Sequence, residues 1–168
     1  TLFRSAGIMT DTNNFLTKTG GRTFEAAAFL RRCGADVTRV RKMFREHVED
    51  YRAKGEAIRN AELFREHFAI SVCPSEGLDS PTVVGAQAAN ELLNIIGVKA
   101  SFVLTDYRNT IYISARSIDE INVQIVMERL GGGGHLNIAG AQLEHYSITE
   151  AKDVLKQTLQ KMLDEGDI

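Results

Sequence analysis

The sequence predicts an α/β fold in two unequal parts: a mostly helical N-terminal piece of about 60 residues, then an α/β lobe with a mixed central sheet. Three observations predict it. As far as Phe64, apolar residues recur at helical spacing. From Phe68 the pattern changes to strand–helix alternation, beginning with Phe68-Ala69-Ile70-Ser71-Val72-Cys73 and stopped by Pro74. The chain has 168 residues, 43% of them hydrophobic, which suits one ordinary domain or two small ones with a real core.

Taken in order, residues 1–9 read as helical or buried, and Gly7 to Thr12 turns into a polar loop punctuated by Asn13-Asn14 and Gly20-Gly21. A helix runs from about Thr23 to Cys33, with Phe24, Ala27, Ala28 and Phe29 as its packing face and Gly34 as a left-handed cap. Asp36 caps the next helix, backed by Val37, Val40 and Phe44. Residues 46–64 are charge-rich and helix-prone, and read as a linker helix at 47–66 between parts spanning 1–46 and 67–168. Ser80-Pro81 starts a helix, serine as cap and proline at the first helical position, which ends at Gly97. Ala100 to Thr105 and Thr110 to Ala115 form two strands about a turn at residues 106–109. Ile121 to Leu130 is a short amphipathic helix running into Gly131-Gly132-Gly133-Gly134-His135. Residues 138–143 suit another strand, and a last helix covers about Thr149 to Leu163.

Charge and composition narrow the function. Net charge is −2, from 20 basic and 22 acidic residues, which argues against general DNA or RNA binding and against a polybasic membrane clamp. No apolar run approaches the roughly 20 residues that span a bilayer. Thr1-Leu2-Phe3-Arg4-Ser5 lacks the charged-then-apolar order of a secretory signal. Thr1, which is not methionine, leads straight into apolar residues and reads as a cut from a longer protein. Leu2, Phe3, Ile8 and Met9 are then expected to be exposed or covered by a partner chain, giving a homodimer. Cys33 and Cys73 lie far apart without a Cys-x-x-Cys, as ordinary thiols of a reduced cytoplasmic setting.

The strongest chemical signal is the glycine run. Four consecutive glycines oppose folding entropically, and suit backbone that must approach something closely or amides that converge on an anion. His135 follows as a donor at the rim; the alternative is a flexible turn. Ser114-Ala115-Arg116-Ser117 ends the strand before it, and Arg116 offers a planar fork for phosphate beside the Ser114 hydroxyl. Asn122 offers an amide to a base or ribose, or is simply a helix cap. Asp11, flanked by threonines, is a hard-metal ligand or a turn aspartate, and one carboxylate cannot make a binuclear site. His47, His67 and His145 are isolated and read as surface residues.

The segment Gly131 to His135, preceded by Ser114-Ala115-Arg116-Ser117 and followed by Ala139-Gly140, resembles the DHH-associated domain of DHH phosphoesterases. Gly7-Ile8-Met9-Thr10-Asp11-Thr12 with Phe15 is similar to the last metal motif of the DHH lobe. Thr19-Gly20, Arg22 to Ala27 and Ile121-Asn122-Val123-Gln124 resemble the membrane-bound cyclic-di-AMP phosphodiesterases of the GdpP type. The resemblance implies that residues 1–46 are the end of the DHH lobe and 67–168 a substrate-binding lobe. It also implies two manganese ions, with Asp11 as one ligand, and a parent that hydrolyses cyclic-di-AMP to linear pApA. Ser114, Arg116, Asn122 and Gly132, Gly133, Gly134 and His135 then hold the cyclic dinucleotide. The Asp-x-Asp motif, the second aspartate motif and the Asp-His-His triplet are absent from these 168 residues. The chain alone is therefore expected to be inactive, working with a DHH lobe upstream of Thr1 and with a membrane anchor there. Two alternatives stand beside this: another DHH-branch enzyme (oligoribonuclease or 3′,5′-bisphosphate phosphatase), and a non-catalytic nucleotide-binding module.

Overall fold

The computed structural model describes all residues except Thr17 and Asp119, and its elements fall into two units, Thr1–His47 and Val48–Ile168. The first unit is helical: α1 (Leu2–Asp11), α2 (Gly21–Arg32) and α3 (Val37–Met43). Gly34, at φ +91°, takes the left-handed turn after α2. Asp36 caps α3, its carboxylate accepting from the amides of Thr38 and Arg39 at 2.8 and 3.3 Å. Ala6, Leu30, Ala35 and Val40 are the buried apolar residues here. The α2 packing face differs from expectation. Leu30 is buried, whereas Phe24 and Phe29 are exposed, and the Phe24 ring instead stacks on Phe15 at 5.4 Å between centroids. Of the four apolar residues at the start of the chain, Phe3 is exposed and Leu2, Ile8 and Met9 are half-buried.

The second unit is built on a six-stranded mixed sheet. Its strands are β1 (Glu62–Phe64), β2 (Phe68–Val72), β3 (Ala100–Tyr107), β4 (Thr110–Ser117), β5 (Gly133–His135) and β6 (Ile138–Glu144), in the order β1-β2-β3-β4-β6-β5. Only β2 and β3 run parallel, and the crossover that such a pair requires carries α5 (Pro81–Leu92). The remaining helices are α4 (Val48–Arg59), α6 (Val123–Arg129) and α7 (Ile148–Glu165). The charge-rich stretch is thus not one helix. It is helical only to Arg59, and Glu62–Phe64 pairs antiparallel with β2. Strand pairing there is a tertiary effect that helix propensity does not register.

Side-chain alternation along the strands places a separate core on each sheet face. Phe68, Ile70, Phe102, Leu104, Ile111 and Ile113 pack with α6 and α7 through Met127, Leu155, Leu159 and Met162. Ala69, Cys73 and Val103 face the other way, onto α4 and α5 through Ala57, Val84, Ala88 and Leu92. The small residues on this second side let α5 lie close to the sheet: a Cβ on Gly85 would sit 2.4 Å from Thr105 Oγ1. The β3–β4 hairpin is tighter than read from sequence. Both strands extend to a two-residue turn, Arg108–Asn109, with φ +54° and +61°.

Candidate functional site

Strand β4 is buried on one side only. Ile111, Ile113 and Ala115 enter the α6–α7 core, while Tyr112, Ser114 and Arg116 lie half-buried on the opposite face. Directly paired residues project to the same face, so the register extends this surface across the sheet. Tyr112 pairs with Gln142, Ser114 with Gly140 and Arg116 with Ile138; on the outer strand Gly133 pairs with Gly140 and His135 with Ile138. Ser114, Arg116, Gly133 and His135, four of the residues singled out in the sequence, therefore share one face. The middle row, Ser114–Gly140–Gly133, is almost bare of side chains. It floors a hollow of about 490 Å³ that Tyr112, Gln142 and Thr82 also line.

The glycine run earns its composition differently from a nest of amides converging on an anion. Gly131 (φ +78°) and Gly132 close α6: their amides donate to the carbonyls of Glu128 and Met127 at 3.0 and 2.8 Å. Gly132 and Gly134 also press against β6. A Cβ on Gly132 would lie 2.1 Å from the Gly140 carbonyl oxygen, and one on Gly134 would lie 2.5 Å from Ala139 Cα. Gly133 differs, because a Cβ there meets nothing within 4 Å. Three glycines thus answer to backbone packing or turn geometry, and the fourth leaves the floor of the hollow open.

Arg116 is the charged group on this face. Its Nη1 donates to the carbonyl oxygens of Ala115 at 2.8 Å and Ala139 at 3.5 Å. Its Nε is buried and has no hydrogen-bond partner among the described residues, and none of their carboxylates pairs with it. Burial lowers the pKa of this guanidinium. A cation so desolvated and without a counter-charge among the described residues favours an anionic ligand. His135 is exposed at the edge of the same face.

Asn122 is placed elsewhere. Its side-chain oxygen caps α6 by accepting from the Gln124 amide at 3.1 Å, and α6 packs on the opposite face of the sheet, so the cap reading describes its position. Asp11 is the exposed last residue of α1. Among the described residues no group of three or more His, Cys, Asp or Glu side chains can hold a metal ion. Tyr112, Gln142 and Thr82 escaped the sequence reading. The Ile111/Ile113/Ala115 alternation already puts Tyr112 beside Ser114 and Arg116, whereas Thr82 and Gln142 arrive only through the crossover and the strand pairing.

A bare sheet face beside a glycine-His edge strand defines a class of domain. Residues 67–162 match the DHHA1 domain, and the chain belongs to that family. It is 41% identical over 96% of its length to a cyclic-di-AMP phosphodiesterase GdpP of Geobacillus thermodenitrificans, covering 24% of that protein. It is 42% identical over 89% of its length to the cyclic-di-AMP phosphodiesterase PdeA of Listeria monocytogenes, covering 23% of it. The chain thus spans about a quarter of the length of these relatives. An exopolyphosphatase-related protein from Bacteroides fragilis has the same fold, with a TM-score of 0.82 at 23% identity over 92% of this chain and 48% of that one. Among the described residues no helix is long and apolar enough to cross a membrane.

Proposed function

We propose that this chain is the substrate-binding part of a phosphodiesterase that hydrolyses cyclic-di-AMP to linear pApA. The observation that carries the reading is Arg116, a half-buried guanidinium without a carboxylate partner among the described residues, on one sheet face with Ser114, Gly133 and His135. A phosphodiester is anionic and presents paired oxygens, which a guanidinium fork binds with charge-assisted hydrogen bonds. Similarity to proteins named cyclic-di-AMP phosphodiesterases over nearly the whole chain supports the substrate. Manganese belongs to this proposal through Asp11, which supplies one carboxylate while the other ligands come from a separate catalytic lobe. With one ligand of the several that a two-metal hydrolase requires, the chain binds the nucleotide and leaves it intact.

The test is calorimetric titration of cyclic-di-AMP into the chain and its Arg116→Ala variant, with the product mixture analysed after incubation with manganese. Loss of a hydrogen bond to a charged group is worth about 1.5–3 kcal/mol, so the variant should bind roughly tenfold or more weakly. No binding by the wild type, or equal affinity in a folded Arg116→Ala variant, overturns the assignment. Turnover that Asp11→Ala abolishes would show that the chain carries a complete catalytic centre.

A further inference from the structure

Helix α4 is apolar on two opposite sides. Ala53 and Ala57 are buried in the core between α4, α5 and the sheet. Each residue of a helix turns by about 100°. Val48, Tyr51, Gly55 and Ile58, spaced three, four and three residues apart, therefore form one stripe roughly opposite those alanines. The stripe faces solvent: Val48 is 54% exposed, Tyr51 62% and Ile58 38%. A surface helix ordinarily keeps that side polar. Gly55 has no explanation within its own chain. It sits in the helix interior, where glycine is less favourable than alanine; its φ is not positive, and a Cβ there would meet nothing within 4 Å. The stripe shares no residue with the hollow beside Arg116.

The stripe is also symmetric. Val48 and Ile58 lie five residues either side of Ala53, and Tyr51 and Gly55 two residues either side. An antiparallel copy of the helix, related by a two-fold axis level with Ala53, meets it in register. Val48 then faces Ile58 of the second copy, and the Tyr51 ring enters the notch left by Gly55 of the second copy. A parallel pair would instead set tyrosine on tyrosine and notch on notch. The flanks agree with the antiparallel order. Asp50 and Lys54 lie one turn apart on one side of the stripe, and Arg52 and Glu56 one turn apart on the other. Reversing the second helix brings Lys54 towards its Asp50 and Arg52 towards its Glu56.

We infer that α4 is a homodimerisation element, on which a second copy of this chain packs antiparallel with Tyr51 in the Gly55 notch. Such a self-complementary patch is what a two-fold interface requires. Three apolar side chains per copy make an interface well under the roughly 1,200 Å² that stable complexes bury, so the dimer is weak, with Kd on the order of 10⁻⁴ M.

The test is analytical ultracentrifugation of the chain from about 10 μM to about 1 mM. The variants are Tyr51→Ala, Gly55→Gln, Lys54→Asp and the double variant Asp50→Lys/Lys54→Asp, with melting curves to establish that each is folded. Phe3→Ser is the control, because Phe3 is exposed at the start of the chain and offers another apolar surface. The wild type should dimerise over this range, and Phe3→Ser should do so equally. Tyr51→Ala and Gly55→Gln should each weaken the dimer about tenfold or more. Gly55→Gln should at the same time melt higher in dilute solution, because it replaces a glycine in a helix interior. Lys54→Asp should weaken the dimer, and the double variant should restore it. A wild type that stays monomeric at the highest concentration overturns the inference. So does a dimer that Phe3→Ser weakens while folded Tyr51→Ala and Gly55→Gln leave it intact, since the interface then lies elsewhere. A double variant no better than Lys54→Asp overturns the antiparallel order.

Discussion

Alanine at Gly132 and alanine at Gly133 should have opposite effects, although the two residues are adjacent and chemically identical. The added methyl at Gly132 would lie 2.1 Å from the Gly140 oxygen and 2.6 Å from Ala141 Cα. Both are main-chain atoms of β6, held by its pairing to β4, so neither can rotate aside. Overpacking ordinarily costs about 1–3 kcal/mol, and a collision with fixed backbone belongs near the top of that range, at roughly 3 kcal/mol. For a chain of this size each kcal/mol moves Tm by about 2–4 °C, so Gly132→Ala should melt roughly 6–12 °C lower. At Gly133 the same methyl meets nothing within 4 Å, and φ is not positive. Alanine there restricts the unfolded chain and should raise stability by about 0.4–1 kcal/mol. That methyl nevertheless projects from the floor of the hollow, so Gly133→Ala should weaken nucleotide binding in a protein that melts no lower than the wild type. Thermal unfolding followed by circular dichroism, with calorimetric titration of cyclic-di-AMP, measures both effects. Equal melting temperatures for the two variants would refute the assignment of Gly132 to β6 packing and Gly133 to the ligand.

Two further outcomes follow from the side chains. Cys73 is buried, and burial first, then the charge of Glu56, pushes its thiol up to about 11, whereas Cys33 is exposed. At about pH 8 a native chain should therefore react with a thiol reagent at Cys33 alone and at both cysteines once denatured; rapid labelling of Cys73 in the native state would contradict its burial. Burial raises the Glu62 carboxyl, but hydrogen bonds from Lys156 and Lys152, at 2.8 and 3.0 Å, outweigh it and hold its pKa below 4.5. A depressed carboxyl contributes stability above the unfolded pKa and loses it as pH falls through the folded one. Glu62→Gln should thus be less stable than wild type near pH 7, by no more than about 1 kcal/mol because the cluster is solvent-screened, and the gap should close with acidification. Urea midpoints that differ equally at neutral and acidic pH would remove the ion cluster from the explanation.

Much of the local structure was legible because its causes are local. Asp36 places its carboxylate over free amides whatever lies elsewhere in the fold, and Pro81 opens α5 at its first position, although the Ser80 side chain makes no capping hydrogen bond. Alternation from Thr110 to Ser117 announces a half-buried strand, and with it the common face of Ser114 and Arg116. The three residues of β1 were hidden in a charged, helix-prone stretch, since their strand character comes from pairing with β2. Phe24 and Phe29 looked like a core face, yet hydrophobicity alone does not say which side of a helix meets a neighbour.

The sequence by itself determined the α/β class, the Asp36 cap, the family, and that Ser114 and Arg116 share one face of their strand. What only the tertiary structure decided is how the glycine run divides its work. Gly131 and Gly132 close a helix, Gly132 and Gly134 lie against β6, and Gly133 floors the hollow. Those roles depend on which backbone stands opposite each Cα. That is settled by the register of β5 on β6 and of β6 on β4. The same register brings Gln142 beside Tyr112, and the crossover through α5 brings Thr82 across from a different part of the chain. Non-local pairing leaves no periodic trace in either segment alone, so the walls of the hollow could be assembled only in three dimensions.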